Sequence, residues 1–386
     1  MANETRDVVI VGGGISGTAA AYELAKAGSR VVLLERGDLA SMASGWTLAG
    51  VRQSGRHPAE LPLAQHAVRR WERLSEELGV DVEYRQDGNL RLARTEEDVP
   101  VIQDLVDSQR GAGLDVTFLP DNASIREIAP ALAESIVAAS WCPSDGHANP
   151  TETVRAFAAA AERHGAVVRT GTNVEQVIVE SGRVRGVRAT SETIAAETVI
   201  LAAGIYTDRL LASLGIDLPL TVRHVSVIQS VPLPPLLRPV LGTAKAEFAG
   251  RQQVDGRLRF TGGGQSWSGD EAASFADSIQ PLAGSVAGML QRGMAIIPAL
   301  ANAPIARVWG GLIDMTPDAL PVIDRSADID GLIVAAGFSG HGFCLGPTTG
   351  HVLCELATRG TSSLPLEPFR LGRFGSATVG ATELHG

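Results

Sequence analysis

The residues best suited to chemistry come early in the chain. Val8 to Val11 is a short apolar run of the kind that forms a buried parallel strand, and Gly12, Gly14 and Gly17 follow it at G-x-G-x-x-G spacing. In this pattern one glycine makes the tight turn, one lets the backbone approach a pyrophosphate, and one packs helix closely on strand. Ala19, Ala20, Tyr22, Leu24 and Ala25 continue as a helix whose first N–H groups point at the phosphates, and Gly28 ends it. Val31 to Leu34 forms the next strand, closed by Glu35, where a carboxylate can accept hydrogen bonds from a ribose diol. Strand, glycines, helix, strand and acid in this order define a dinucleotide site.

A second glycine loop lies near the other end. The strand Leu332 to Ala336 runs into Gly337-Phe338-Ser339-Gly340-His341-Gly342-Phe343, before a helix expected from Pro347 to Ala357. Backbone N–H groups and a helix dipole there suit a group that becomes negative during reaction, as reduced flavin does at its N1–C2=O edge. His341 is a further donor for that edge, or else a loop histidine bonded to backbone. Between the two loops, Thr198 to Gly204 reads as a buried strand ending in glycine. Ala43 to Gln53 is a small-residue loop that either lies along an extended ligand or merely crosses over.

The elements that must position these groups fall into two patterns. The 386 residues exceed one typical domain of about 150 residues, so two lobes are expected. Leu63 to Leu78 is an amphipathic helix, after which Val82 to Tyr84 and Asn89 to Leu92 read as a hairpin around Asp87-Gly88. Thr151 is the expected N-cap of a helix through His164. Strand and turn patterning returns between Leu218 and Ile305. The formal charge of −10 and scattered arginines argue against nucleic acid, and the cysteines (Cys142, Cys344, Cys354) form no C-x-x-C pair, so no metal site or disulfide frame is expected. The polar start, MANETRD, leads straight into the first strand; we expect no signal peptide, no membrane span and a cytoplasmic protein.

Several segments carry a family resemblance. AAGFSGHGF, with TPDALPVID upstream, resembles the D-amino acid oxidase superfamily of FAD enzymes. More narrowly, ASGWTLAGVRQ, AASWCPSDGHANP and IIPALANAPIARVWGGLIDMTPDALPVID are similar to catalytic β subunits of heteromeric amine dehydrogenases: sarcosine oxidase, L-proline and D-hydroxyproline dehydrogenase, and opine oxidase. The resemblance implies an α/β plus α+β flavoprotein of two lobes. A Rossmann-type FAD-binding domain would take 1–80, 145–215 and 305–386; an antiparallel-sheet substrate domain would take 81–144 and 216–304.

It also implies the site. FAD would meet Gly12, Gly14, Ile15, Ser16 and Gly17 at the first loop, then Glu35 and Arg36. Ala43, Ser44, Gly50 and Val51 would follow along the small-residue loop, with Val174, Ala203 and Gly204 at strand ends. Gly311, Gly337, Gly340, His341, Gly342 and Phe343 would complete the flavin side. Arg52 is the candidate for a bidentate carboxylate contact, His224 for substrate contact or proton handling, and His341 joins them as a catalytic candidate. Trp46, Trp309 and Phe338 are candidate walls.

Departures sharpen the expectation. Gly311 stands where covalent-flavin relatives carry cysteine, so FAD should be non-covalent. Ile313 stands where glycine and D-amino acid oxidases carry the arginine that clamps a carboxylate, and Cys344 replaces a carboxylate-binding lysine. Lysine occurs only at Lys26 and Lys245, and the segment resembling an oxygen-activating lysine site reads Leu258-Arg259-Phe260, which favours a dehydrogenase over an oxidase. The expected reaction is oxidation of a secondary amine or N-substituted amino acid to an imine. Implied partners are an α subunit and a small iron–sulfur subunit, with FMN at a subunit interface. The alternatives are a stand-alone glycine or D-amino acid oxidase, and a flavin-binding relay subunit inactive alone.

Overall fold

Alternate residues of the first strand enter different cores, which is what a sheet covered on both faces requires. Val8 and Ile10 join the core of the long helices, whereas Val9 and Val11 pack into the opposite one with Val32, Leu34, Val199 and Leu201. The computed structural model describes residues 5–269 and 278–374. Residues 375–386, expected in the first lobe, and 270–277, expected in the second, lie outside that range, as does the start of the polar N-terminus.

Thr5–Val11, Val31–Leu34, Val167–Arg169, Thr193–Leu201 and Leu332–Ala336 form a parallel sheet. Val322–Arg325 adds an antiparallel edge strand, and the hairpin Val174–Glu180/Arg183–Ala189 extends from Thr193–Leu201. The helix Ile15–Lys26 lies on this sheet between Pro150–Arg163 and Gly342–Arg359. Small residues set that packing: a Cβ at Gly346 would come within 2.5 Å of Ile15, and one at Gly350 within 2.5 Å of Ala19. The helix Gly342–Arg359 therefore starts five residues before the expected Pro347, which it carries internally. Asn149, not Thr151, caps Pro150–Arg163, accepting from the Glu152 N–H.

The second sheet is antiparallel except where Val240–Thr243 runs parallel to Asn89–Ala93. Asn89–Ala93 pairs on its other side with Ala138–Cys142, so the hairpin expected with Val82 to Tyr84 is absent. Glu83 takes a positive φ of 55°, which breaks extension, and Arg85 instead bridges His147. Ile305–Met315 pairs along its length with Thr221–Pro232, so the chain returns to the first sheet after Met315 rather than at 305. The helix Ala283–Ile296 covers one face of this sheet through Met289 and Ile296 against Ile228, Phe248, Leu258 and Phe260. The opposite face looks onto the first sheet. Among the described residues no helix is long and apolar enough to cross a membrane.

Candidate active site

Two adjoining cavities run between the sheets. The first, of about 490 Å³, is walled by Gly12, Gly14, Glu35, Arg36, Val174 and Ala203. The second, of about 310 Å³, is walled by Ile15, Ser16, Gly50, Arg52, Gly311, Gly340, Gly342 and Phe343. Gly14, Ala43, Ser44, Ala202, Gly204, Leu312 and Asp314 line both, making one channel.

At the first cavity the chain excludes side chains. Gly12 has φ +115°, and a Cβ there would sit 2.3 Å from the Ala202 carbonyl oxygen; one at Gly17 would sit 2.0 Å from Gly12 O. Gly17 thus serves helix–strand packing and does not face the channel. Gly14 heads the helix with no side-chain cap, and Ser44 Oγ accepts from the Ile15 N–H at 3.0 Å. Glu35 accepts from the N–H groups of Gly13 (2.6 Å) and Gly37 (2.7 Å), which orients its carboxylate on the cavity wall. Arg36 lies over the Tyr206 ring, 3.8 Å from its centroid. A helix N-terminus headed by glycine, a backbone cradle and an oriented carboxylate fit an FAD molecule.

The second cavity is ringed by charge. Arg52, Arg56 and Arg91 all line it. Burial, then the like charges of Arg56 and Arg91, push Arg52 down to about 9, still charged at neutral pH. Burial and Arg56 lower Arg91 to about 10. Glu60 is fully buried 3.0 Å from His341 Nδ1 and 3.7 Å from Arg56 Nη1. Burial pulls its carboxyl upward, but the charges of His341 and Arg56 win and hold it at about 2. At His341 the outcome is the reverse: burial outweighs the attraction of Glu60 and keeps the imidazole below its ordinary value. Burial raises Asp145, although Gln53 and Ser54 donate to it.

Loop 43–53 is held from behind. Arg251, 2% exposed, donates to Leu48 O, to Ala148 O at 3.0 Å and to His147 Nδ1 at 2.9 Å. Gly50–Val51 pairs with Gly146–His147, which turns Gly50 toward the channel and leaves Val51 buried behind it. Burial, then the charges of Arg251 and Arg85, hold His147 down at about 3.

The other candidates separate clearly. Arg52 lines the cavity; His341 and His224 do not. His341 turns its Nδ1 to Glu60. His224 stacks on Trp267 and meets Gln280 O at 2.9 Å, because Val225 and Val227 take the channel side of its strand and even-numbered residues take the other. Gly337, at φ +68°, turns the chain and donates to buried Asp314 at 2.6 Å, also without lining the channel. Gly311 is closed to any side chain by Trp46, 2.6 Å from its would-be Cβ. Trp46 and Phe338 are walls, whereas Trp309 lies under Arg259 and Arg307, each 5.2 Å from its ring centroid. Arg56, Glu60, Arg91, Asp145, His147 and Asp314 escaped the sequence reading. The alternation Asn89-Leu90-Arg91-Leu92 held a usable signal, since buried Leu90 and Leu92 put Asn89 and Arg91 on the channel face.

A two-sheet fold enclosing such a channel, with a glycine loop at one end and a cluster of arginines at the other, is that of a dinucleotide-dependent enzyme. The chain belongs to the family of FAD dependent oxidoreductases (DAO), which it matches over residues 7–356. It is 30% identical to the glycine oxidase of Geobacillus kaustophilus (strain HTA426), over 95% of this chain and 97% of that protein. It is 29% identical to the sarcosine oxidase subunit beta of Arthrobacter sp, over 95% of this chain and 91% of that one. The solved L-proline dehydrogenase from P. horikoshii superposes with a TM-score of 0.88 at 29% identity, covering 96% of this chain and 98% of that chain. The protein is thus an FAD-dependent oxidoreductase acting on CH–NH bonds of amino acids or amines.

Proposed function

We propose that the chain oxidises a secondary amine or N-substituted amino acid to an imine, as the catalytic subunit of a heteromeric dehydrogenase. The observation that carries this reading is Ile313: an apolar side chain lines the cavity at the position of the oxidases' carboxylate clamp, while the cations stand on other segments. FAD would be held non-covalently, with Gly12, Gly14 and the Ile15–Lys26 helix end at the pyrophosphate, Glu35 at the ribose, and Gly340, Gly342 and Phe343 beside the flavin. When bound, FAD supplies the hydride acceptor.

Arg52 binds the substrate carboxylate and so orients the C–N bond. Trp46, Leu312 and Phe338 exclude water around the reacting carbon, which favours the amine as its free base. His341 and Glu60 position Arg56 and the loop before Leu61–Leu78. The imine hydrolyses in water. Arg259, in the segment that resembles an oxygen-activating site, donates to Thr47 O at 2.8 Å and lies outside the channel lining, which supports slow reaction with oxygen. An α subunit, a small iron–sulfur subunit and an interface FMN are the partners this reading calls for.

A stand-alone glycine oxidase is the second reading, favoured by the 30% identical relative. Anaerobic bleaching of the flavin by sarcosine, proline, hydroxyproline, opines, glycine and D-alanine, followed by air, separates the two. Bleaching by a secondary amine with slow recovery in air is expected. Bleaching by glycine or D-alanine with fast recovery would reject the dehydrogenase reading.

A further inference from the structure

We infer that Arg91 is a second substrate-binding residue, taking from the side of the second sheet the same carboxylate that Arg52 binds. This rests on the reading of Arg52 given above and deepens it. Arg91 lies in the middle of Asn89–Ala93, a strand paired on both sides, opposite Ser140 and Gly242. Its neighbours Leu90 and Leu92 are buried in the core behind the strand, so the guanidinium reaches toward the cavity that it lines. Arg52 enters the same cavity from the small-residue loop. The two tips meet over Gly55. That residue takes φ +66°, and a Cβ there would lie 2.8 Å from Arg91 Nη2 and 3.0 Å from Arg52 Nη1. Both guanidinium groups therefore converge on a single space.

The turn beneath them is pinned. Asp145 accepts from the N–H groups of Gln53 at 2.8 Å and Ser54 at 3.3 Å, and Gln109 Oε1 accepts from the Gly55 N–H at 3.0 Å. Arg56 belongs to this frame. It is 5% exposed, donates through Nε to Arg52 O at 3.0 Å and stands 3.7 Å from Glu60. Arg52 and Arg91 stay partly open. Arg52 spends one donor on Ser54 O at 2.8 Å, and Arg91 makes no side-chain hydrogen bond or ion pair with any described residue.

Three guanidinium groups here face two buried carboxylates. Glu60 lies beside Arg56 and His341. Asp145 acts on both Arg52 and Arg91, although its oxygens accept from Gln53 and Ser54 and not from a guanidinium. One positive charge is left without a partner, which is what one carboxylate neutralises. Its two oxygens offer about four lone-pair sites, enough for donors from both arginines. Held between a pinned loop and a central strand, the carboxylate fixes the neighbouring C–N bond more tightly than a single guanidinium would. The site thus selects amines that carry a free acid over their amides.

The test uses the FAD-loaded enzyme and two probes with sulfur in place of the oxidisable N–H: (methylthio)acetate, which carries the acid, and 2-(methylthio)acetamide, its neutral counterpart. Each is titrated by its effect on the flavin spectrum, so binding is read without turnover. Arg91→Met should raise the Kd of the acid by about 30-fold while moving that of the amide less than about threefold. Arg91→Lys, which keeps the charge, should restore part of the loss. An Arg91→Met variant that binds the acid as the parent does, or that weakens acid and amide alike, would overturn the inference. So would an Arg52→Met variant with undiminished affinity for the acid, since the clamp would then not be shared. Failure of the amine reading looks different: no secondary amine bleaches the flavin, yet Arg91→Met still weakens the acid alone, and the role of Arg91 stands.

Discussion

The two ends of the channel are built from different material. The nucleotide end is backbone, glycine and one carboxylate, drawn mainly from the first 37 residues, and what matters there is the absence of side chains. The end proposed for the substrate is charged side chains from several segments, held by a balance of guanidinium and carboxylate groups. Steric exclusion within a contiguous loop is a local property, so it survives as a motif. Charge balance among remote segments is a tertiary property and leaves no fixed spacing. The two ends should therefore fail differently when substituted.

The largest effect is expected at the nucleotide end. Gly12→Val puts a branched side chain at φ +115°, with its Cβ 2.3 Å from a backbone carbonyl that cannot rotate aside. FAD affinity should fall by at least about 100-fold, since strain of this kind costs about 3 kcal/mol. Flavin content after purification and FAD titration check this. A yellow, fully loaded variant would contradict the assignment of this loop to the pyrophosphate.

At the substrate end the expected effect is selective. Arg52→Ala removes a charge-assisted bidentate contact, so substrate KM should rise about 100-fold while FAD affinity moves less than about threefold. Steady-state kinetics with parallel FAD titration read both. Unchanged substrate affinity would remove the carboxylate role. Equal loss of FAD would mean that the two ends are not separable at this residue.

This contrast also explains what was legible. The glycine loop, Glu35 and the long apolar helices could be read because their partners lie nearby or their periodicity is self-contained. The Val82–Leu92 hairpin could not, because Asn89–Ala93 finds its partners at Ala138–Cys142 and Val240–Thr243. The strand around His224 is legible in the sequence, but a one-residue parity decides which face meets the channel. His341 was expected at the flavin edge; the buried acid that claims its Nδ1 lies 281 residues earlier in the chain. Arg56 and Glu60, four apart ahead of an amphipathic helix, look in sequence like a solvated pair. Only the packing shows them buried.

The smallest expected effect lies behind the loop that joins the two ends. His147 accepts a hydrogen bond from buried Arg251 at Nδ1, so the folded protein holds it neutral, with its pKa near 3. The unfolded chain would bind a proton there near pH 6.5, so it carries more protons than the native state below that value. Stability must then fall as pH drops, and this one group should cost about 2 kcal/mol between pH 7 and pH 5. Burial also lowers His66, to about 4, and His341, so His147 accounts for part of the slope and not all of it. His147→Asn keeps an acceptor for Arg251 but cannot titrate. Urea midpoints at pH 7 and pH 5 should lie closer together in this variant than in the parent, with flavin content unchanged at pH 7. An unaltered difference would mean that the Arg251 clamp does not depend on a neutral His147, and that the loop between the two ends is held by its carbonyl contacts alone.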